Sequence, residues 1–274
     1  MGVGEELRGI GRTALWVAMM RAAEGARPDR LFDDRLAEAF VAAAGLDTAG
    51  GMTMPPGAEE FLAIRTRFYD DYLRDACAAG VRQVVVLAAG LDSRAFRLTW
   101  PAGLRFFELD LPEVFEFKES VLAAHGAAAG CTRTAVPADL RGDWPEPLRA
   151  AGFDPARPTA WLVEGLMLYL TEADNDRLVR ALTTLSAPGS RFAFDHMEST
   201  ANDRAAVRDT AEVARRMGAG FRSFLDDATG WLATHGWQAT VSRVPALADS
   251  YGRTLSAHID LTSSNATVLC TGTR

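Results

Sequence analysis

Several short stretches of this chain end an apolar run in a very small or an acidic residue. In open α/β sheets, ligands bind beyond such strand ends. The run Gln83–Ala88 (QVVVLA) gives way to Ala89-Gly90. A glycine there lets a ligand approach the backbone with no Cβ in the way, and Ala88 and Gly90 are the positions nearest that approach. The spacing is not GxGxxG, because positions 88, 90 and 93 are Ala, Gly and Ser. A cradle for a pyrophosphate is therefore disfavoured. Roughly 20 residues beyond the glycine, a distance that suits an acceptor for two ribose hydroxyls, the next run closes on Glu108-Leu109-Asp110. A spacing of two puts both carboxylates on one side of a strand, so either one serves the ribose while the other caps the next helix. Asp110 before Leu111-Pro112 is also a good N-cap in its own right. Ala138-Asp139-Leu140 follows a third run, where Asp139 is either a ligand contact or a solvated loop carboxylate.

Glu164 closes a fourth run and leads into Gly165-Leu166-Met167-Leu168-Tyr169-Leu170. A carboxylate in so apolar a context is rarely buried without a partner. It marks either a site or a structural pair with an arginine. Of the four histidines, His196 in Phe194-Asp195-His196 is the best placed for proton transfer at a strand end; a loop histidine that only hydrogen-bonds is the plainer reading. Tyr169 is a candidate substrate contact, set against a core role among its apolar neighbours.

The elements that must position these residues follow from periodicity. Leu15, Trp16, Met19, Met20 and Ala23 recur at helical spacing over Thr13–Glu24. Further helices are predicted over Asp33–Ala43 and Ala58–Ala79, the latter stopped by Gly80. Strands are predicted at Gln83–Ala88, Leu104–Leu109, Thr132–Pro137, Thr159–Val163 and Arg191–Asp195, with two more at Gly236–Val244 and Ala266–Thr271. Helices are predicted to follow Pro112 and to cover Glu172–Ser186, Thr200–Met217 and Asp226–His235. Strands alternating with helices of this length give a doubly wound parallel sheet. The last two strands are expected to pair antiparallel at its edge. One domain is expected over residues 1–274, with a helical cap over 1–80, a sheet core over 81–274 and a helical insertion around 200–225. Trp16 and Met19 of the first helix, and the methionine-bearing loop Gly51–Met54, are candidates for covering a pocket and touching substrate.

Composition narrows the partners. In 274 residues, 48% are hydrophobic, 24% are charged and the formal net charge is -7. A sizeable core is affordable, and no nucleic-acid footprint shows. Lys118 is the only lysine. The cysteines, Cys77, Cys131 and Cys270, lie too far apart for a zinc site or a disulfide framework. The apolar stretch Ala14–Met20 is too short to span a membrane and has no cleavage signal, so a cytosolic location is expected.

The segments VVVLAAGLDSRAFRL (84–98), FFELDLPEVFEFK (106–118), ADL (138–140) and VEGLMLYL (163–170), together with Arg65-Thr66-Arg67-Phe68-Tyr69-Asp70-Asp71 and Thr13-Ala14 through Arg21-Ala22, resemble the leucine carboxyl methyltransferase family. They are most similar to its bacterial branch of O-methyltransferases, some of which tailor polyketides. The resemblance implies a class I, Rossmann-like α/β fold with seven strands and the last one antiparallel. It also implies S-adenosylmethionine as cofactor and a small-molecule acceptor bearing a carboxyl or hydroxyl oxygen. Arg65 would grip the cofactor's methionine carboxylate, Ala88 and Gly90 would line its back, and Asp110 or Glu108 would hold the ribose. Asp139 and Leu140 would meet the adenine, and Glu164 would lie near the ammonium and the sulfonium. Thr13 stands where some relatives carry a cofactor-contacting lysine, and Ala88 stands where a glycine is usual. No metal is implied. Two other readings are a nicotinamide-dependent oxidoreductase, which the missing GxGxxG disfavours, and a cofactor-binding scaffold without turnover.

Overall fold

Alternate residues of each central strand part into two packed layers, one on either face of a single sheet. The computed structural model describes residues 10–46, 57–201, 211–212, 215, 220–255 and 267–274. The strands are β1 (Gln83–Leu87), β2 (Arg105–Asp110), β3 (Thr132–Pro137), β4 (Ala160–Val163), β5 (Arg191–Met197), β6 (Gln238–Arg243) and β7 (Thr267–Thr273). They lie in the order β3-β2-β1-β4-β5-β7-β6. On one face, Val85, Leu87, Phe107, Leu109, Trp161, Val163, Phe192 and Phe194 form a core with Leu178, Leu182, Leu232 and Trp237. On the other, Val84, Val86, Phe106, Ala160, Leu162 and Ala193 pack on Tyr69, Tyr72, Leu73 and Ala76. The period of two produces this division. It also explains why β1 is buried at every position, since a sheet covered on both faces has no wet side.

The helices are α1 (Ile10–Gly25), α2 (Arg35–Ala43), α3 (Ala58–Ala78), α4 (Arg94–Arg97), α5 (Pro112–Ala124), α6 (Pro145–Ala150), α7 (Glu172–Thr184), α8 (Ala228–Thr234) and α9 (Val244–Ser250). Asp34 caps α2 by accepting from the Ala37 N–H, and Thr171 caps α7. The first two helices pack with α5 through Leu15, Met19, Phe40, Phe117 and Val121. Helices α6 and α9 are additions to the sequence reading. Each carries a proline in its first turn (Pro145, Pro245) that costs the helix nothing there. The predicted helix Thr200–Met217 falls largely outside the described residues, as do the loop Gly51–Met54 and His258.

As expected, the last two strands pair antiparallel at the edge of the sheet, with β6 outermost. β7 lies between β5 and β6 and runs antiparallel to both, with Phe194 and Val241 each opposite Cys270. Val268, Leu269 and Cys270 need cover on both faces, and they are buried. β6 alternates exposed Gln238 and Thr240 with half-buried Ala239 and Val241, a pattern suited to an edge.

Glu108 has a structural job. It is fully buried, and its Oε2 accepts from Lys118 Nζ at 2.5 Å and Arg133 Nη2 at 2.8 Å. The spacing of two correctly put it on the side of Asp110. It lies one pleat deeper, however, beneath α5, where a buried carboxylate needs cations and no ligand reaches. Breaking a buried pair by removing one partner costs about 3 kcal/mol. Lys118→Met is therefore expected to lower stability in urea titrations by that order, with S-adenosylmethionine affinity unchanged in calorimetry.

Candidate active site

The carboxyl ends of β1, β2, β4 and β5, closed over by α1 and α3, frame a cavity of about 500 Å³. That volume falls in the range of roughly 300–1,000 Å³ typical of small-molecule sites. At the end of β1 the backbone turns left-handed twice, at Ala88 (φ 52°) and Gly90 (φ 50°). Ala88 keeps this conformation with a Cβ, at a cost of about 1–2 kcal/mol. Gly90 has a second reason to be glycine, because a Cβ there would stand 3.3 Å from the Ala14 Cβ of α1. Asp110 ties this loop to β2, with Oδ2 accepting from the Gly90 N–H at 2.6 Å and Oδ1 from the Leu111 N–H at 2.7 Å. Each oxygen keeps a lone pair for a hydroxyl. Burial pushes the Asp110 carboxyl above its ordinary range in spite of these two N–H groups.

Beside this loop lies a chain of buried charges. Arg65 Nε donates to Glu164 Oε1 at 3.0 Å, and its Nη1 donates to Asp195 Oδ2 at 3.3 Å. Arg94 Nη1 contacts Glu164 Oε2 at 2.8 Å and pairs with Asp92, while its Nε donates to Asp70 Oδ1 at 2.8 Å. Arg97 grips Asp70 with two N–H groups at 2.5 and 2.7 Å. Arg21 Nε lies 3.2 Å from Asp34, and its Nη2 donates to the Leu91 carbonyl at 2.6 Å. Burial raises the Asp92 carboxyl, but Arg94, Lys118 and Arg21 outweigh it and hold the group at about 2. Burial likewise opposes the ionisation of Glu164, and Arg94 and Arg65 overcome it. At Asp195 burial wins and the carboxyl is raised, against Arg65 and the Gly165 N–H. Among the described residues no side chain accepts from Arg65 Nη2, so Arg65 keeps donors for a ligand. Gly165, with φ 66°, lies close against that guanidinium.

Of the residues singled out from the sequence, the structure brings Arg65, Ala88, Gly90, Asp110, Asp139, Leu140, Glu164, Trp16 and Tyr169 to one cavity. Asp139 sits at its rim, paired with Arg141 at 2.6 Å, and this bond holds its carboxyl below the usual range. Among the described residues the buried Trp16 indole N–H has no partner, a donor left for a ligand. Burial raises the Tyr169 hydroxyl to about 12.

Three candidates stand elsewhere. Glu108 is held beneath α5, as described. Met19 is buried in the packing of α1 on α2 and α5 and does not line the cavity. His196 is buried and does not line the cavity. Its Nδ1 accepts from the Met197 N–H at 2.9 Å, which leaves the proton on Nε2 to face Ser223 Oγ at 3.3 Å. Burial lowers its pKa and keeps it neutral, and both ring nitrogens are engaged, by Met197 and Ser223, away from the cavity lining. The sequence reading passed over Arg21, Asp92, Arg94 and Asp195. Asp92-Ser93-Arg94, a charged triplet just past a buried strand, was the available signal. Among the described residues no group of His, Cys, Asp or Glu is arranged to hold a metal, and no helix is long and apolar enough to cross a membrane.

A seven-stranded sheet with one antiparallel strand, a tight loop after β1 and a carboxylate ending β2 define the class I, Rossmann-like methyltransferases. Solved structures share the fold. One named, by inference, as a methyltransferase from Thermobifida fusca superposes with a TM-score of 0.57 at 18% identity, covering 94% of each chain. A protein of Streptomyces avermitilis gives 0.58 at 15%, covering 94% of this chain and 96% of that one. The sequence profile of the leucine carboxyl methyltransferase family matches residues 14–183. A Parafrankia protein named, by inference, as an S-adenosyl-L-methionine-dependent methyltransferase is 49% identical over 239 residues, covering 84% of this chain and 77% of its own. A Rhodococcus jostii protein of the same name is 44% identical over 264 residues, covering 89% and 88%. The chain belongs to the leucine carboxyl methyltransferase family. It is an S-adenosylmethionine-dependent methyltransferase, which displaces the nicotinamide reading.

As an acceptor for two hydroxyls, Asp110 would serve only while it is ionised. Its raised pKa means that the proton returns above the ordinary carboxylate range as pH falls. Calorimetric titrations at successive pH values are expected to show S-adenosylmethionine affinity declining on the acid side. Asp110→Asn is expected to bind more weakly and to lose most of that dependence.

Proposed function

We propose that this enzyme methylates a carboxylate oxygen of a small, natural-product-like acid. The supporting observation is the chemistry of the cavity wall. Among the described residues that line it there is no histidine or lysine. Every lining carboxylate is engaged: Asp92 by Arg94, Asp110 by two backbone N–H groups, Asp139 by Arg141, Asp174 by Arg177, Glu164 by Arg65 and Arg94, and Asp195 by Arg65. Tyr169 is protonated at neutral pH. A phenol or alcohol acceptor needs a base in the transition state, whereas a carboxylate arrives ionised.

The residues fit the cofactor. Arg65 offers its free donors to the methionine carboxylate, and Glu164 and Asp195 present negative charge to the cationic end. Asp110 takes the ribose hydroxyls, Asp139 the adenine amino group, and Leu140 packs on the ring. S-adenosylmethionine supplies a methyl carbon already bonded to a good leaving group. The acceptor oxygen forms the new O–C bond as the C–S bond breaks, the electron pair staying on sulfur. The protein's work is alignment and exclusion of water. Trp16 and Tyr169 face the acceptor, with Phe61, Leu62, Leu168 and Met197 as apolar wall.

Two measurements test this reading. Arg65→Ala is expected to weaken S-adenosylmethionine binding by about 10- to 100-fold, the worth of a charged hydrogen bond, while circular dichroism shows a folded chain; Arg65→Lys is expected to lose less. With labelled cofactor and a panel of aromatic acids, phenols and peptides, label is expected on the acids, with kcat flat from about pH 6 to 9. A limb near 6.5, the ordinary histidine value, or label only on peptide termini, overturns the proposal. So does failure to form S-adenosylhomocysteine with any acid.

A further inference from the structure

Among the described residues four arginines line the cavity, and three of them are held. Arg21 lies against Asp34 at 3.2 Å, Arg65 against Glu164 at 3.0 Å and Arg141 against Asp139 at 2.6 Å. Arg222 is the fourth. It is exposed, and among the described residues no carboxylate pairs with it.

Its position is built, not incidental. The Arg222 N–H donates to the Leu168 carbonyl at 2.7 Å, and the Leu225 N–H donates to the Met197 carbonyl at 2.8 Å. Between them, Ser223 Oγ donates to the Met167 carbonyl at 3.1 Å and receives Asn175 Nδ2 at 3.0 Å, with His196 Nε2 at 3.3 Å. These bonds fasten the backbone of residues 222–225 across the carboxyl ends of β4 and β5. The neighbours on either side are apolar. Phe221 lies 5.6 Å from the Tyr169 ring, and Phe221 and Phe224 pack on Leu168 and Met197. A guanidinium with no carboxylate partner among the described residues is thus held at the exposed edge of an apolar wall.

We propose that Arg222 is the distal anchor of the acceptor and that the preferred acceptors carry two anionic groups separated by an apolar body. One is the carboxylate that is methylated; the other, at the mouth, pairs with Arg222. The inference rests on the carboxylate-acceptor reading above. Its chemistry is that of a planar, fixed donor fork facing an anion. With Arg222 holding the distal anion, that group is not the one that becomes an ester. The second charge persists in the product.

The test uses matched pairs: benzoate with terephthalate, and cinnamate with 4-carboxycinnamate. Initial rates with labelled cofactor are measured for wild type, Arg222→Ala and Arg222→Lys. The same acids are titrated calorimetrically into enzyme saturated with S-adenosylhomocysteine. In wild type the diacid is expected to exceed its monoacid partner in kcat/KM by about tenfold, the worth of a charge-assisted hydrogen bond. Arg222→Ala is expected to bring that ratio near one, and Arg222→Lys to restore part of it, with S-adenosylmethionine affinity retained in both. Higher salt is expected to shrink the wild-type preference. Monoacids and diacids methylated equally well by wild type, or a ratio that survives in Arg222→Ala, overturn the role of Arg222 alone. If no acid is bound or methylated, the carboxylate-acceptor reading and this inference fall together.

Discussion

The arrangement of the active site depends on one buried chain of alternating charges. It runs from Arg21 and Asp34 under the first two helices, through Arg97, Asp70 and Arg94, to Glu164, Arg65 and Asp195 at the ends of β4 and β5. Such pairs add little net stability, because desolvation offsets attraction. Removing any one member leaves a buried charge exposed to its neighbours and is costly. The chain therefore acts mainly as a geometric constraint. Glu164 has both oxygens committed, so its carboxylate cannot rotate, and Arg65 is aimed by two acids at once. Counting Asp34, Asp70, Asp92, Glu164 and Asp195 against Arg21, Arg65, Arg94 and Arg97, five carboxylates face four guanidiniums. One negative charge is left over, which suits a cofactor whose reacting end is cationic.

This constraint links the helical cap to the sheet. Asp34 caps α2, accepts from Ser93 Oγ at 2.7 Å and faces Arg21 of α1. The same side chain thus ends one helix and fixes another over the loop after β1. The close approach of Ala14 to Gly90 follows from it. A second tie, Arg253 to Glu24 at 2.5 Å, joins α1 to the segment after α9. The cofactor loop is held between these fixtures and the two backbone bonds to Asp110. It can therefore carry a left-handed alanine at position 88, a strain that a looser turn would relieve.

The two ends of the cavity differ in kind. The end beside β1 and β2 is polar and pre-organised by backbone N–H groups and paired acids. The end beside Leu168, Met197 and Phe221 is apolar. A site divided in this way suits a charged cofactor at one side and a body with an apolar surface at the other. His196, though at a strand end, belongs to neither. It is spent on fastening the chain that bears Phe221 and Arg222.

Much of this was legible in the sequence. The continuous apolar runs located each central strand to within a residue or two, because a sheet buried on both faces leaves so few other uses for QVVVL or RFAF. Their last residues located Gly90, Asp110 and Glu164, because ligands meet such sheets at those ends. The sequence could not rank Glu108 against Asp110. Parity gives the side of a strand and not the depth, and only the packing of α5 shows that Lys118 covers one and leaves the other open. Helical spacing placed Trp16 and Met19 on one helix, but only the packing of α2 and α5 over Met19 showed that Trp16 alone of the two lines the cavity. The insertion of β7 between β5 and β6, the role of Arg94 as a bridge, and the placing of Arg222 at the edge of the apolar wall all depend on contacts between residues dozens of positions apart. Local sequence determines what each element is and where it ends. Which charges meet across the elements is decided by the assembled fold, since pairing is a property of distance in space and the chain specifies distance only along itself.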